Sequence, residues 1–535
     1  MNDALVYKKR LEGIASLIFF LSCLVFRIRI GNIGMGYLLT CFMMYEVMWV
    51  VFGERISEVV GRLLRSRLSK SKYRSARLIW HYSLSMNSFT GFIGFIIIGF
   101  LGSYFIKKVF FIDHALWILW IFALIFGLRL VTETISGYLC GRKNTIVFSG
   151  ISALIRQIAI IVLGNICISL ISGYGQKVTA LLKQDDLKAV YACLGIGISA
   201  VIAELVTLVF LLVIKLAPKQ KEYDYDDDIY RRKDNTGNVF LMIWRSRIFE
   251  MVSSLLVIFP YVLTVFVFFR KSSDPIVCAE QLGLAGVTVV VPSLLFCVFG
   301  YSMLLSLVSE VTNNFKHNMM RYARNIFQTG FHLSFIYGSF GCIYLIAESS
   351  LISKLFGEST PEITSKLIIF GAFITLIMLA SLFIMRLLIR CGLLFLTYLV
   401  QIPADVIFII IFLVLVSRGK EPAVSFAIAL LVHYICKFIG YLILALVKLD
   451  MSIDPISNIF VPVLVAAVVC ILNVFVSKFI APHLGVVFTL FISFLEMVVL
   501  YVIILLLGRN FKDNELKYIP GGKFITILGQ TLHVL

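Results

Sequence analysis

Charge is scarce in this chain. Only 15% of its 535 residues are Asp, Glu, Lys or Arg, against 60% apolar, and its mean hydropathy is +0.98. That shortage leaves little room for a soluble domain. The eleven cysteines include no C-x-x-C pair and lie mostly inside apolar runs, as Cys23, Cys167, Cys297 and Cys436 do. They read as small buried hydrophobes, which excludes a disulfide framework or a cysteine zinc site. No G-x-x-x-x-G-K-[ST] loop occurs, so ATP hydrolysis of the usual kind is excluded. H-E-x-x-H, G-x-S-x-G and His/Cys clusters are missing as well, so neither a metal nor a cofactor nor a catalytic residue is expected. No small-x-small cleavage site follows the basic start; the first apolar run ends in Arg27, Arg29 and Gly31 and reads as a retained span.

What fills the chain instead is a series of apolar stretches, each long enough to cross a bilayer. A helical span needs about 20 mostly apolar residues. Fourteen are expected, near 11–30, 34–60, 78–106, 113–139, 146–171, 189–216, 241–269, 279–309, 322–347, 364–389, 391–416, 423–447, 456–480 and 484–507. The fold class is therefore all-α and polytopic in a membrane. A β-barrel is excluded, because barrels show weak ten-residue alternation rather than continuous apolar runs.

The net charge of +18 is distributed as topology requires, not as nucleic-acid binding does. With the N-terminus inside, the inner loops collect Lys8 to Arg10, Arg62 to Arg77, Arg142 with Lys143, Arg231 to Lys233, Lys316 to Arg324, Arg386 with Arg390, and Arg509 to Lys523. Lys/Arg bias in short loops sets orientation, so both termini are expected in the cytoplasm and the protein in the cell membrane. The same loops favour anionic lipid headgroups. No nucleic-acid partner is expected.

One polar interval, 217–240, divides the chain. Its acidic Glu222 to Asp228 and basic Arg231 to Lys233 suit a solvated cytoplasmic linker, and it lacks EF-hand spacing. The expected organisation is an N-terminal lobe at 1–216 with spans one to six, the linker at 217–240, and a C-terminal lobe at 241–449 with spans seven to twelve. Two extra spans and a cytoplasmic tail follow at 450–535. A repeat supports the division. Shifting the chain by 247 residues matches Val51-Phe52-Gly53 to Val298-Phe299-Gly300, Gly36 to Gly283, Arg74 to Arg321, Ala76-Arg77 to Ala323-Arg324, and Gly91 and Gly94 to Gly338 and Gly341. Both copies start from a cytoplasmic loop, so the repeat is parallel, about a pseudo-two-fold axis along the membrane normal. Transporters built this way bind substrate between their halves.

Charges also occur within the spans, where each costs roughly 2.5–3.5 kcal/mol even on the lenient insertion scale. Span two has Glu46, Glu54, Arg55 and Glu58; span four has Arg129 and Glu133; span five has Arg156; span six has Glu204. Span seven has Arg245, Arg247 and Glu250, span eleven Asp405, and span twelve His433 and Lys437. Arg129 and Glu133, four apart, share a helix face and are placed to pair, as are Arg247 and Glu250, three apart. Aligning Lys215-Leu216 with Lys448-Leu449 sets Glu204 opposite Lys437, which suits a latch between lobes or an ion-sensitive group. His433 reads as a helix-packing histidine. Structural ion pairs in a packed bundle are one account of these residues. The functional account is a wet cavity in which Arg129, Arg156, Arg245 and Arg247 bind a diphosphate, since a guanidinium grips phosphate oxygens bidentately and stays charged. Glu46, Glu133, Glu204, Glu250, Asp405 and Lys437 are then the cavity acids and coupling candidates.

Further motifs carry a resemblance. They are the glycine-rich Gly31-Asn32-Ile33-Gly34-Met35-Gly36-Tyr37 before span two, Gly141-Arg142-Lys143 before span five with Arg156 inside it, and the tail DNELKYIPGGK from Asp513 to Lys523. With these the chain resembles the polysaccharide-transport branch of the multidrug/oligosaccharidyl-lipid/polysaccharide (MOP) exporter superfamily, being similar to stage V sporulation protein B and MurJ-type flippases. The resemblance implies two six-helix lobes with two extra helices and alternating access without ATP. It implies a polyprenyl-diphosphate oligosaccharide passed from the inner to the outer leaflet for cell-surface polysaccharide biosynthesis, with glycosyltransferases or a polymerase as pathway partners. The family's cavity arginines in the first helix are not reproduced: Arg27 and Arg29 fall at the outer end of span one, and Glu12 near its inner end has no assigned role. The alternatives are a cation-coupled multidrug exporter of the same superfamily, a membrane glycosyl or acyl transfer enzyme, and a scaffold for envelope assembly.

Overall fold

The computed structural model describes residues 2–142, 145–184, 186–216, 236–271, 274–356, 361–511, 513–519 and 522–531. The described residues are almost entirely helical, without strands. Most of the interval expected as a linker, 217–235, lies outside them. Among the described residues twelve helical stretches are long and apolar enough to cross a membrane. The first of these, Tyr7–Leu68, doubles back on itself and so holds two crossings. A shorter apolar helical segment, Ile258–Arg270, lies where the seventh span was expected.

The reversal is at Gly31. Helix α1 (Asn2–Phe52) has non-helical backbone there, at φ +74°, a region in which a Cβ is strained. The two arms, 2–30 and 32–52, fold against each other, so the Phe19 and Phe42 rings lie 6.5 Å apart although 23 residues separate them. The expected span at 34–60 is broken in turn. The chain bends at Gly53 and at Arg55, which has φ +54°, before α2 (Ile56–Leu68) resumes. A bulky charged residue in the left-handed region ends the helix where apolar periodicity alone would continue it.

Packing divides the chain into two compact units, 1–283 and 284–535. The first holds α1, α2, α3 (Tyr73–Lys108), α4 (Leu116–Gly141), α5 (Ile146–Leu182), α6 (Leu187–Leu216), α7 (Thr236–Lys271) and most of α8 (Pro275–Ala285). Helix α7 groups with it because Phe266 and Phe269 pack on Phe105 and Phe110, at 5.0–5.6 Å between centroids. Where α8 crosses α1, only glycine fits. A Cβ on Gly36 would stand 1.9 Å from the Ala279 carbonyl oxygen, and one on Gly283 2.0 Å from that of Asn32. Small residues permit such close backbone approach between membrane helices.

The second unit holds α9 (Val291–Lys316), which follows α8 through a π-turn at Gly286–Val290, and α10 (Met320–Ala347), α11 (Ser349–Leu355), α12 (Pro361–Arg390), α13 (Leu394–Ser417) and α14 (Pro422–Lys448). It ends with α15 (Val461–Leu484), α16 (Val486–Leu507) and the tail helices α17 (Asp513–Leu516) and α18 (Gly522–Thr531). Its core includes Cys342, Leu345, Ile368 and Ala372, with Phe296 and Leu376 packed on them. The tail is anchored. Buried Glu515 meets His332 Nδ1 at 3.0 Å, Asn510 Nδ2 lies 3.2 Å from His332 Nε2, and the Tyr518 hydroxyl donates to Glu310 at 2.6 Å.

The 247-residue repeat has a counterpart in local geometry. Helices α3 and α10 begin at Tyr73 and Met320, 247 apart, after N-cap residues of nearly equal backbone angles: φ −95°, ψ 66° at Lys72 and φ −86°, ψ 62° at Met319. One residue earlier, Ser71 and Asn318 both take positive φ, at 52° and 59°. Two non-glycine residues adopt the same uncommon conformation at equivalent places, which sequence composition does not explain.

Candidate functional site

Helix α4 carries Arg129, Thr132 and Glu133 at i, i+3 and i+4, hence on one face. Facing it, α5 presents Arg156 and α6 presents Glu204. The result is a buried ionic cluster. Arg156 lies between two carboxylates, with Nη1 3.0 Å from Glu133 Oε1 and Nε 2.9 Å from Glu204 Oε1. Its side chain is 6% exposed and that of Glu204 3%. Thr132 donates its hydroxyl to Glu204 at 3.1 Å. Such pairing is what makes charge tolerable at membrane depth.

Arg129 is held differently. Its side chain retains 29% exposure, and its Nε stands 4.0 Å from Glu204, a looser approach than that of Arg156. Nη1 donates to the Tyr45 hydroxyl at 2.9 Å, and the guanidinium lies 4.6 Å from the centroid of the Trp49 ring. Tyr45 and Trp49 are stacked at 6.1 Å and 8°, and Phe42, Phe122 and Phe126 surround Tyr45. A ring face attracts a desolvated cation and holds it without neutralising it. The expected Arg129–Glu133 pair within one helix is therefore not formed: Glu133 is taken by Arg156, and Arg129 turns toward the aromatic wall of α1. Glu46, one residue after Tyr45, is within electrostatic reach of Arg129.

The structure thus gathers Arg129, Arg156, Glu133 and Glu204 into one cluster, with Glu46 within electrostatic reach of Arg129. Arg245 on α7 is exposed, and the side chains of Arg247 and Glu250 lie outside the described residues. Glu12 pairs with Lys8 at 3.0 Å.

Asp405 and Lys437 belong to a second cluster. Lys437 Nζ is 3.9 Å from Asp405 Oδ1, and Gln401 Nε2 donates to both Asp405 oxygens at 2.9 and 3.0 Å. Tyr441 donates to Gln401 Oε1 at 2.9 Å. His433 Nδ1 lies 3.1 Å from the Ala404 carbonyl and 3.6 Å from Asp405, the placement of a packed, bonded histidine. Glu204 and Lys437, set opposite each other by the repeat, each have a partner in their own unit.

Other polar loci gave no sign in the chain order that they would cluster. Lys215 lies 4.3 Å from the Trp80 ring and Arg142 4.5 Å from that of Tyr138. With Arg77 and His81 they line a cavity of about 180 Å³. In the second unit Glu348, expected just beyond a span, is fully buried against Asn473 and Ser493. Its partners are 125 and 145 residues away, so no local pattern could join them. Among the described residues no three His, Cys, Asp or Glu side chains gather as metal ligands would.

No protein-family model and no curated sequence matches the chain. Solved structures do. An inward-facing multidrug resistance MATE transporter of the MOP superfamily aligns with a TM-score of 0.63 at 11% identity, over 82% of this chain and 95% of that one. A eukaryotic MATE transporter aligns at 0.56 and 12%, over 83% and 96%. A MOP superfamily transporter from Pyrococcus furiosus, described as having a binding pocket of reverse polarity that suggests a different function, aligns at 0.56 and 12%, over 84% and 96%. The chain has a MATE-like fold and is a multi-pass membrane protein. The neighbours are covered almost whole, while about a sixth of this chain is left unaligned.

Proposed function

We propose that the protein is a MOP-type transporter that flips a polyprenyl-diphosphate-linked oligosaccharide from the cytoplasmic to the outer leaflet by alternating access. The observation carrying this reading is Arg129: a partly exposed guanidinium inside a membrane helix bundle, fixed at one nitrogen by Tyr45, backed by Trp49, and only loosely met by Glu204. A phosphate oxygen is a stronger, bidentate partner than a carboxylate at 4.0 Å and would displace it. Arg156, locked between Glu133 and Glu204, positions the acids rather than meeting substrate. Glu204 returning to Arg129 gives the headgroup a competitor, so that binding stays reversible. A wet charged path serves the headgroup while the prenyl tail remains in lipid. Support also comes from the tail and glycine motifs in which the chain resembles the polysaccharide-transport branch. The test is depletion of the protein followed by leaflet-specific labelling of prenyl-linked glycan. Accumulation on the cytoplasmic leaflet supports the reading; normal distribution refutes it.

A second reading has its own observation. Glu46, within electrostatic reach of Arg129, adds an acid beside the paired Glu133 and Glu204, as suits a cation-coupled exporter of small cationic compounds. Dye efflux that is lost on deletion, with glycan lipids unaffected, favours that reading over the first.

A further inference from the structure

Glu348 lies where α10 ends and α11 begins, with no exposure to solvent. Its Oε1 accepts hydrogen bonds from Asn473 Nδ2 at 2.6 Å and Ser493 Oγ at 2.5 Å, and Ser493 Oγ is 2.9 Å from Asn473 Oδ1. Its Oε2 is buried with no hydrogen-bond partner. Among the described residues no Lys, Arg or His pairs with it. The titratable groups that act on it electrostatically are Tyr344 on α10, Cys470 on α15 and Glu496 on α16. Each of these is neutral or negative in every state it can adopt, so none offsets a carboxylate. A lone buried carboxylate oxygen without a counter-charge is strongly disfavoured.

We propose that Glu348, Asn473 and Ser493 form a binding site for a small monovalent cation, a sodium ion or a proton, that neutralises Glu348 at Oε2. One carboxylate supplies one negative charge, which suits a monovalent ion and leaves a divalent one under-compensated. The neighbouring donors are hard oxygens, Asn473 Oδ1 and Ser493 Oγ, the ligand type such an ion takes. Asn473 Nδ2 and the Ser493 hydroxyl fix the carboxyl rotamer by occupying Oε1, so the open oxygen keeps its direction whether or not the ion is present. The site joins the end of α10 to α15 and α16, elements separate from the Arg129 cluster. Cation occupancy there sets how firmly the last two helices are tied to the second unit.

The experiment uses purified full-length protein in nanodiscs, with no transport readout, so its outcome is independent of which substrate is carried. Thermal unfolding is followed while sodium replaces potassium at constant ionic strength, and separately while pH is lowered at constant potassium. The wild type is expected to gain stability with sodium, or with acidification if the ion is a proton. Glu348→Gln, isosteric and neutral, is expected to fold with at least a tenfold weaker dependence on that ion, and Asn473→Ala to weaken it in part. Infrared difference spectra separate the two ions: a carboxylic-acid band lost in Glu348→Gln marks the proton, and a sodium-induced carboxylate shift marks sodium. Equal responses of wild type and Glu348→Gln to both ions, or no response in either, would overturn the proposal.

Discussion

Replacing Arg156 by Ala separates holding the fold from moving the substrate. Arg156 bridges Glu133 at 3.0 Å and Glu204 at 2.9 Å with its side chain only 6% exposed. Its removal leaves two carboxylates, one of them almost fully buried, without the cation nearest to both. Breaking a buried pair in this way typically costs about 3–5 kcal/mol, because the remaining charge stays desolvated. The 29%-exposed Arg129, 4.0 Å from Glu204, recovers only part of that. Thermal unfolding of purified protein, read by the fraction remaining monodisperse after heating, should show a fall of several degrees. A triple replacement, Arg156→Met with Glu133→Gln and Glu204→Gln, removes charge and counter-charge together and should restore most of it, as hydrophobic or neutral substitutes for buried pairs often do. Arg156→Ala melting like wild type, or the triple variant melting no higher than Arg156→Ala, would refute the claim that these three side chains form one compensated unit.

Other perturbations follow from the same geometry. Arg129→Ala loses one hydrogen bond, one cation–π contact and the loose approach to Glu204, a smaller loss of stability than Arg156→Ala, yet should abolish export; transport at wild-type rate would remove Arg129 from the substrate path. Gly36→Ala puts a Cβ against the Ala279 carbonyl, a backbone atom that a rotamer change cannot clear, and should lower the melting temperature by the equivalent of about 1–3 kcal/mol. Glu515→Ala strips buried His332 of its carboxylate partner, and limited proteolysis should then cut the 513–519 tail faster than in wild type. Combined Arg142→Ala and Lys215→Ala should reduce anionic lipid retained through purification, measured by mass spectrometry, in line with the basic inner loops.

Much of the architecture was legible because membrane insertion imposes long apolar runs, and runs are local. The break between the first two expected spans fell at Gly31, where the backbone has positive φ. The repeat was visible at loop edges, and Ser71 and Asn318 show why: turn geometry constrains residues there more than lipid-facing helix does. The site was legible in composition but not in pairing. Arg129, Glu133, Arg156 and Glu204 stood out as charges in spans, yet the i,i+4 rule linked Arg129 to Glu133, whereas tertiary packing gives Glu133 to Arg156 and Arg129 to Tyr45, 84 residues away. An aromatic wall such as Tyr45 with Trp49 is indistinguishable in sequence from ordinary core. Glu348 was hidden for the same reason, since its chemistry is made by helices more than a hundred residues distant.

The most direct measurement of the central claim is flipping by purified protein in proteoliposomes loaded with a polyprenyl-diphosphate sugar, scored by the fraction of headgroup reachable by an impermeant oxidant. Wild-type protein should expose headgroups from both leaflets, and Arg129→Ala should leave the inner pool protected as in protein-free vesicles. Protection of half the pool with wild-type protein, alongside uptake or efflux of a small organic cation by the same vesicles, would contradict the account.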